Sequence, residues 1–240
     1  MQDGLYVALS SQVALERRMN TIADNVANMS TVGFRATGVK FEDMVSGLGE
    51  RSASFVSAGD TYLSASSGAM RETGNPFDFA IQGDAWFSIE TPVGTVMTRD
   101  GRMTMNAAGE LLSIEGYPVL DAGGAPLQLD PRGGAPETGD DGSLRQNGQQ
   151  VGALGLYNFE PGPNFVRFGN SGVVPAGTPQ PVVDRLDVGV AQGFLEDSNV
   201  NPVLEMTRLI MVQRAFENTA ALVRDTHSSL DEAIKTLGSK

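Results

Sequence analysis

The two ends of this chain follow one spacing rule and its middle follows another. From residue 5 to residue 29 there is no glycine or proline. Apolar side chains recur there at alternating steps of three and four: Leu5, Ala8, Leu15, Met19, Ile22, Val26 and Met29, with Gln12 the one interruption. On an α-helix this spacing draws a narrow stripe, the a/d seam of a coiled coil rather than a broad globular face. The C-terminal segment repeats it through Met206, Leu209, Gln213, Phe216, Ala220, Val223, His227, Leu230, Ile234 and Leu237. Asn201 is placed to cap that helix, with Pro202 at its first position. Glu205 suits its positive end, Lys235 lies near its negative end, and Gly238 supplies a stop.

A stripe of this kind has to be covered. At 1.5 Å per residue the helices are about 36 and about 50 Å long, so the second overhangs the first and has seam to spare. Isolated helices are marginal in water, with a nucleation constant on the order of 10⁻³. A large apolar side chain contributes about 1.5–3 kcal/mol only when it is fully buried. The seams are therefore expected to pack against other subunits as well as against each other. The plainer alternative is a two-helix core within one chain. Gln12, Gln213 and His227 all fall at a positions, where each either fixes register and partner number or sits at a solvent-facing edge.

The middle, roughly 76–195, is rich in glycine and proline. Short apolar or alternating runs such as "FDFAIQG", "AWFSIE" and "GELLSIEGYPVL" are separated by turn signals at Asp100-Gly101, Gly123-Gly124 and Asn147-Gly148. This is the pattern of a small antiparallel β-domain. Residues 35–75, rich in Ser, Gly and Ala from 46 onward, are expected to be an extended linker. The predicted class is α+β: helix 1–34, linker 35–75, β-domain 76–195 and helix 196–240, with the terminal helices forming a coiled-coil layer.

Composition narrows the functions. Asp and Glu number 29 against 17 Lys and Arg, a formal net charge of −12, which argues against nucleic acid or an anionic membrane as partner. The absence of cysteine removes disulfides and thiolate ligands, and one histidine, His227, is too few for most zinc or non-haem iron sites. No apolar run approaches a membrane span. Met1-Gln2-Asp3-Gly4 has no basic n-region, so no cleaved secretory signal is expected. Phosphate-loop, zinc-protease, nucleophile-elbow and calcium-loop motifs are missing. Asp121, Asp130, Glu137, Asp140 and Asp141 lack the alternating spacing of a calcium loop and read as an acidic surface loop. No catalytic residue, cofactor or metal ligand is assigned, and an enzyme has no support.

Three separated stretches resemble one family. "IADNVANMSTVGFRA" (22–36) is similar to the N-terminal signature of bacterial flagellar rod and hook proteins, roughly A-N-N-x-A-N-x-x-T-x-G-F-K. "FLEDSNVNPVLEMTRLIMVQRAFENT" (194–219) resembles the family's C-terminal signature. "NPFDFAIQGDAWFSI" (75–89), "MTRDG" (97–101) and "GELLSIEGYPVL" (109–120) resemble its middle strands. Asp24 stands where the family often has asparagine, Arg35 where lysine is common, and Asp84-Ala85-Trp86 where a Gly-Phe-Phe-like turn is more usual. The modest length and single middle domain look most like the proximal rod members.

The resemblance implies an axial structural subunit of the flagellar basal body, in the rod that spans the periplasm. Its helices would line a hollow, torque-transmitting helical tube, with the β-domain outside and the termini folding on assembly. Implied partners are further copies, other rod proteins including the distal rod protein, and the flagellum's own type III export apparatus, without membrane insertion. A distal rod or hook-like subunit, or a periplasmic interaction module, is the alternative. The expected interface runs along Leu5, Leu15, Met19, Ile22, Val26, Met206, Leu209, Gln213, Phe216, Val223, Leu230, Ile234 and Leu237, with Asn199 from the C-terminal signature. Asn25 flanks the first seam, where its amide either bonds a neighbouring helix or is solvated. Asn28 competes for local backbone bonds, Gly33 offers a left-handed turn and Phe34 is expected to fold back on the last helical turn.

Overall fold

The structure is a computed structural model that describes residues 2–47, 52–57, 59–182 and 187–238. Contacts divide the chain into a helical unit, Met1–Ala27, Thr37–Tyr62 and Asn201–Lys240, and a β-unit, Asn28–Ala36 and Leu63–Val200. The chain is α+β with mostly antiparallel pairing, as its spacing predicts.

In the helical unit, α1 (Gln2–Ala27) packs along α2 (Pro202–Gly238). Their 26 and 37 residues correspond to about 39 and about 56 Å. The cap of α2 is where the sequence puts it. Asn201 Oδ1 accepts from the Leu204 amide at 3.1 Å, and its carbonyl accepts from the Glu205 amide at 3.0 Å. Met29 falls beyond the end of α1 and is exposed.

Four strands accompany the helices: β1 (Thr37–Lys40), β2 (Asp43–Gly47), β3 (Ser52–Val56) and β4 (Asp60–Leu63). β1 pairs with β4, and β2 pairs antiparallel with β3. α1 packs against β1 and β3. Much of the stretch expected as linker is thus extended backbone that finds a partner. Backbone ladders between small residues leave no hydrophobic period to read.

The β-unit continues with β5 (Met70–Glu72), β6 (Phe79–Gln82), β7 (Trp86–Thr91), β8 (Gly94–Thr98), β9 (Met103–Met105) and β10 (Leu111–Ser113). Then come β11 (Glu137–Thr138), β12 (Ser143–Gln146), β13 (Gln149–Ala153), β14 (Leu156–Asn158) and β15 (Val166–Phe168). The last four are β16 (Gly172–Val174), β17 (Gln180–Pro181), β18 (Gly189–Gln192) and β19 (Phe194–Glu196). The largest sheet is antiparallel in the order β15-β16-β8-β7-β14-β17. Side chains alternate across it. Phe87, Ile89 and Val96 join one core with Phe79, Leu111 and Leu156, while Trp86, Met97 and Val173 join a second with Tyr157 and Phe159. Both faces are covered, so "AWFSI" reads as a continuous apolar run. At Asn147-Gly148 both φ angles are positive, 52° and 76°, the geometry that lets β12 fold straight back onto β13.

Candidate assembly interface

A helix has two long sides, and in the helical unit they differ. On α1, Ala8, Ala14, Ile22 and Asn25 are buried, and Leu15, Met19 and Val26 are half-buried. On the far side, Tyr6, Leu9 and Val13 are 59%, 50% and 53% exposed at three–four spacing. On α2 the covered line runs through Glu205, Leu209, Val212, Phe216, Thr219, Val223 and Thr226. Val203, Met206 and Ile210 form the opposite, exposed stripe, and Leu204, Met211 and Leu222 flank it in the open.

The expected C-terminal seam is divided between the two sides of α2. Leu209, Phe216 and Val223 lie on the covered line, but Met206, Gln213 and His227 are exposed one position beyond it. Gln213 spends its amide on Glu217 of the next turn, 3.2 Å away. Gln12 on α1 is half-buried. Of the remaining expected residues, Leu5, Leu230, Ile234 and Leu237 have side chains outside the described ones.

Asn25 is 3% exposed, so it is not a solvated flank. Its Nδ2 donates to the Thr37 carbonyl at 2.9 Å, and its Oδ1 accepts from the Thr37 amide at 2.9 Å. The side chain mimics a strand neighbour and ties the start of β1 to α1. It also lies 3.5 Å from Glu205 Oε2 on α2. Glu205 is buried and pairs through Oε1 with Arg208 one turn on. Sequence spacing passed over Glu205 because a carboxylate on an apolar seam breaks the pattern.

The stretch between α1 and β1 belongs to the β-unit. Asn28 accepts from Thr31 twice, at its carbonyl and at Oδ1, both 3.1 Å, which closes a local turn in place of another helical one. Gly33 has φ +68°, and its amide donates to the Glu196 carbonyl at 2.7 Å. Phe34 is buried beneath the Arg167 guanidinium, 4.4 Å from the ring centre. Asn199 holds this stretch from the other end of the unit. Its Oδ1 accepts from the Ala36 amide at 2.7 Å, and its Nδ2 donates to the Ser66 carbonyl at 2.7 Å.

At the centre of the β-unit lies a charge cluster that sequence reasoning missed. Arg35 Nη2 is 3.0 Å from Glu196 Oε1, and Arg99 Nη1 is 3.4 Å from Glu196 Oε2, with all three side chains at most 3% exposed. Arg35 also donates to the Ala65 and Ser66 carbonyls and to Ser67 Oγ. Arg99 donates to the Ile81 and Gly83 carbonyls, and Glu196 accepts from the Gly68 amide. Both guanidiniums lie over the Trp86 ring, at 5.9 and 5.6 Å. Burial pushes the Arg99 pKa down to about 10 against the pull of Glu196, so it remains a cation at neutral pH. The available signal was a charge directly following an apolar or strand-like run, in "GFRA", "MTRDG" and "GFLED".

None of this is a reaction centre. One recess, between Ile89, Thr98, Ser113 and Phe168, encloses about 20 Å³, the space of a single water, and a roomier, open one of about 250 Å³ lies between Glu137, Asp141, Ser143 and Arg145. Among the described residues no group of three or more His, Cys, Asp or Glu is placed to hold a metal ion, and no helix is long and apolar enough to cross a membrane. What the helical unit offers is exposed apolar surface on a packed helix pair.

Comparison with known proteins identifies the chain's family. Residues 5–35 match the family model described as flagella basal body rod protein. Residues 80–149 match that of the flagellar hook protein FlgE/F/G D1 domain, and residues 191–236 that of the flagellar basal body rod FlgEFG protein C-terminal. The chain is 78% identical to the flagellar basal-body rod protein FlgF of Mesorhizobium japonicum, over 100% of both chains. It is 58% identical to the FlgF of Rhizobium meliloti over 99% of both, and 31% identical to the flagellar basal-body rod protein FlgG of Bacillus subtilis over 98% of both. With likeness this high from end to end, the chain belongs to the flagellar basal-body rod proteins of the FlgE/F/G family, as a structural subunit of the rod and not an enzyme.

Proposed function

We propose that this subunit builds the proximal part of the rod by burying the outer sides of its two helices against neighbouring subunits. The observation that carries the reading is the pair of exposed apolar stripes, Tyr6-Leu9-Val13 on α1 and Val203-Met206-Ile210 on α2. Packed helices of this kind form the coiled-coil inner layer of a hollow helical tube. Torque then passes from subunit to subunit through heterologous, non-closing contacts. The partners are further copies of the chain and other rod proteins, the distal rod protein FlgG among them. Higher identity to proteins named FlgF than to one named FlgG supports the proximal position over the distal one. The subunit reaches the periplasm-spanning rod through the flagellar type III export apparatus.

The chain has no cysteine, so one introduced at Ile210 is unique. A photoreactive maleimide on Ile210→Cys, activated in purified basal bodies, is expected to give adducts with a second copy or with another rod protein. Efficient incorporation without any adduct would overturn the assignment of this face.

A further inference from the structure

We infer that residues 28–36 are a docking arm, held on the β-unit by a charge latch in which Arg35 plugs onto a site already formed by Glu196, Arg99 and Trp86. Glu196 and Arg99 come from β19 and from the end of β8, and Trp86 opens β7. With the arm removed they would still be a one-to-one ion pair over an indole ring. Arg35 adds a second guanidinium to the same carboxylate and takes up the Ala65 and Ser66 carbonyls, which run beside it. Gly33, Ala36 and Phe34 close the rest of the arm through Glu196 and Asn199, and the Ser64 amide donates to the Ala36 carbonyl at 2.8 Å. Every one of these partners lies in the β-unit.

The arm is therefore ordered together with the β-unit, whatever state the helices are in, and Arg35 is its charged anchor beside Phe34, which lies buried under Arg167. A buried guanidinium holds only with its fork engaged, because losing its partners leaves a charge stranded away from water. The latch thus has two states, fully seated or fully released, with little stability between them. Only the arm side of the latch is lost when Arg35 is removed, since Arg99 and Glu196 retain each other.

Amide hydrogen exchange on the full chain, kept dilute, separates these states. In the wild type the Gly33 and Ala36 amides should exchange within about tenfold of the β7 and β8 amides, as members of one cooperative unit. In Arg35→Met they should accelerate by at least about a hundredfold while β7 and β8 change by less than about threefold. The emission of Trp86, the only tryptophan, should shift to the red as its cover lifts. Arg35→Lys, which keeps the charge but not the fork, should fall between the two. Arm amides that exchange freely in the wild type would overturn the latch. So would unchanged protection in Arg35→Met, or equal loss across arm and strands.

Discussion

Gly33 concentrates the local demands of the chain in one residue. Its φ of +68° lies in the left-handed region that a β-branched residue avoids. A Cβ placed there would collide with the Arg99 carbonyl carbon and the Asp100 amide, both backbone atoms that have nowhere to yield. Gly33→Val should therefore lower the stability of the β-unit by about 3 kcal/mol, combining strain and collision. Denaturant unfolding followed by Trp86 fluorescence reads this directly, and a loss below about 1 kcal/mol would mean the turn rearranges cheaply. The turn itself was legible from Gly33 because only glycine makes such a turn ordinary. Its burial against the "MTRDG" loop was not, since contact between segments more than sixty residues apart leaves no mark in local pattern. The same gap explains Arg35 and Trp86. Each looked like a local departure from the family pattern, and the two prove to be stacked in space.

At the scale of elements, the existence of both helices and the cap of α2 at Asn201 were readable, the end of α1 at Ala27 was overrun by the seam through Met29, and helix rotation was only partly legible. A seam of alternating threes and fours constrains an α-helix to one side but tolerates a shift of one residue at every second position. On α2 the apolar reading chose Met206 over Glu205 and Gln213 over Val212, in the first case because a buried carboxylate looks wrong until Asn25 and Arg208 are placed beside it. The rotation makes the two sides separately testable. Val212, 5% exposed, sits on the covered line, and Val212→Asp should destabilise the helical unit by at least about 2 kcal/mol through lost burial and an unpaired charge. Ile210, 53% exposed, sits on the open side, and Ile210→Asp should leave the stability of the isolated chain within about 0.5 kcal/mol. Helical circular dichroism on heating distinguishes the two variants. Both should abolish swimming, the first through folding and the second through assembly alone. Normal swimming with Ile210→Asp would remove the open side of α2 from the interface. Phe216 and Ile22 make poorer probes, because both already serve the covered sides and a defect there would confound the two causes.

For the whole molecule the controlling quantity is charge. A subunit carrying a formal −12 repels its own copies, yet the faces proposed to join them are apolar. The two forces respond differently to salt. At about 0.01 M ionic strength charges act over about 30 Å, whereas at about 0.15 M they act over about 8 Å. Hydrophobic burial is hardly screened over that range. Self-association of the purified chain should therefore strengthen as salt rises from the first value to the second. It should strengthen again as pH falls toward the sequence pI of about 4.5, where carboxylates begin to take up protons and the net charge fades. An interface built on complementary charge would behave in the opposite way, weakening with salt as attraction is screened. Sedimentation of the same sample across a salt series decides between them by sign alone. Association that weakens with salt would transfer the binding energy from the helix stripes to charged contacts, and the stripes would then need another explanation.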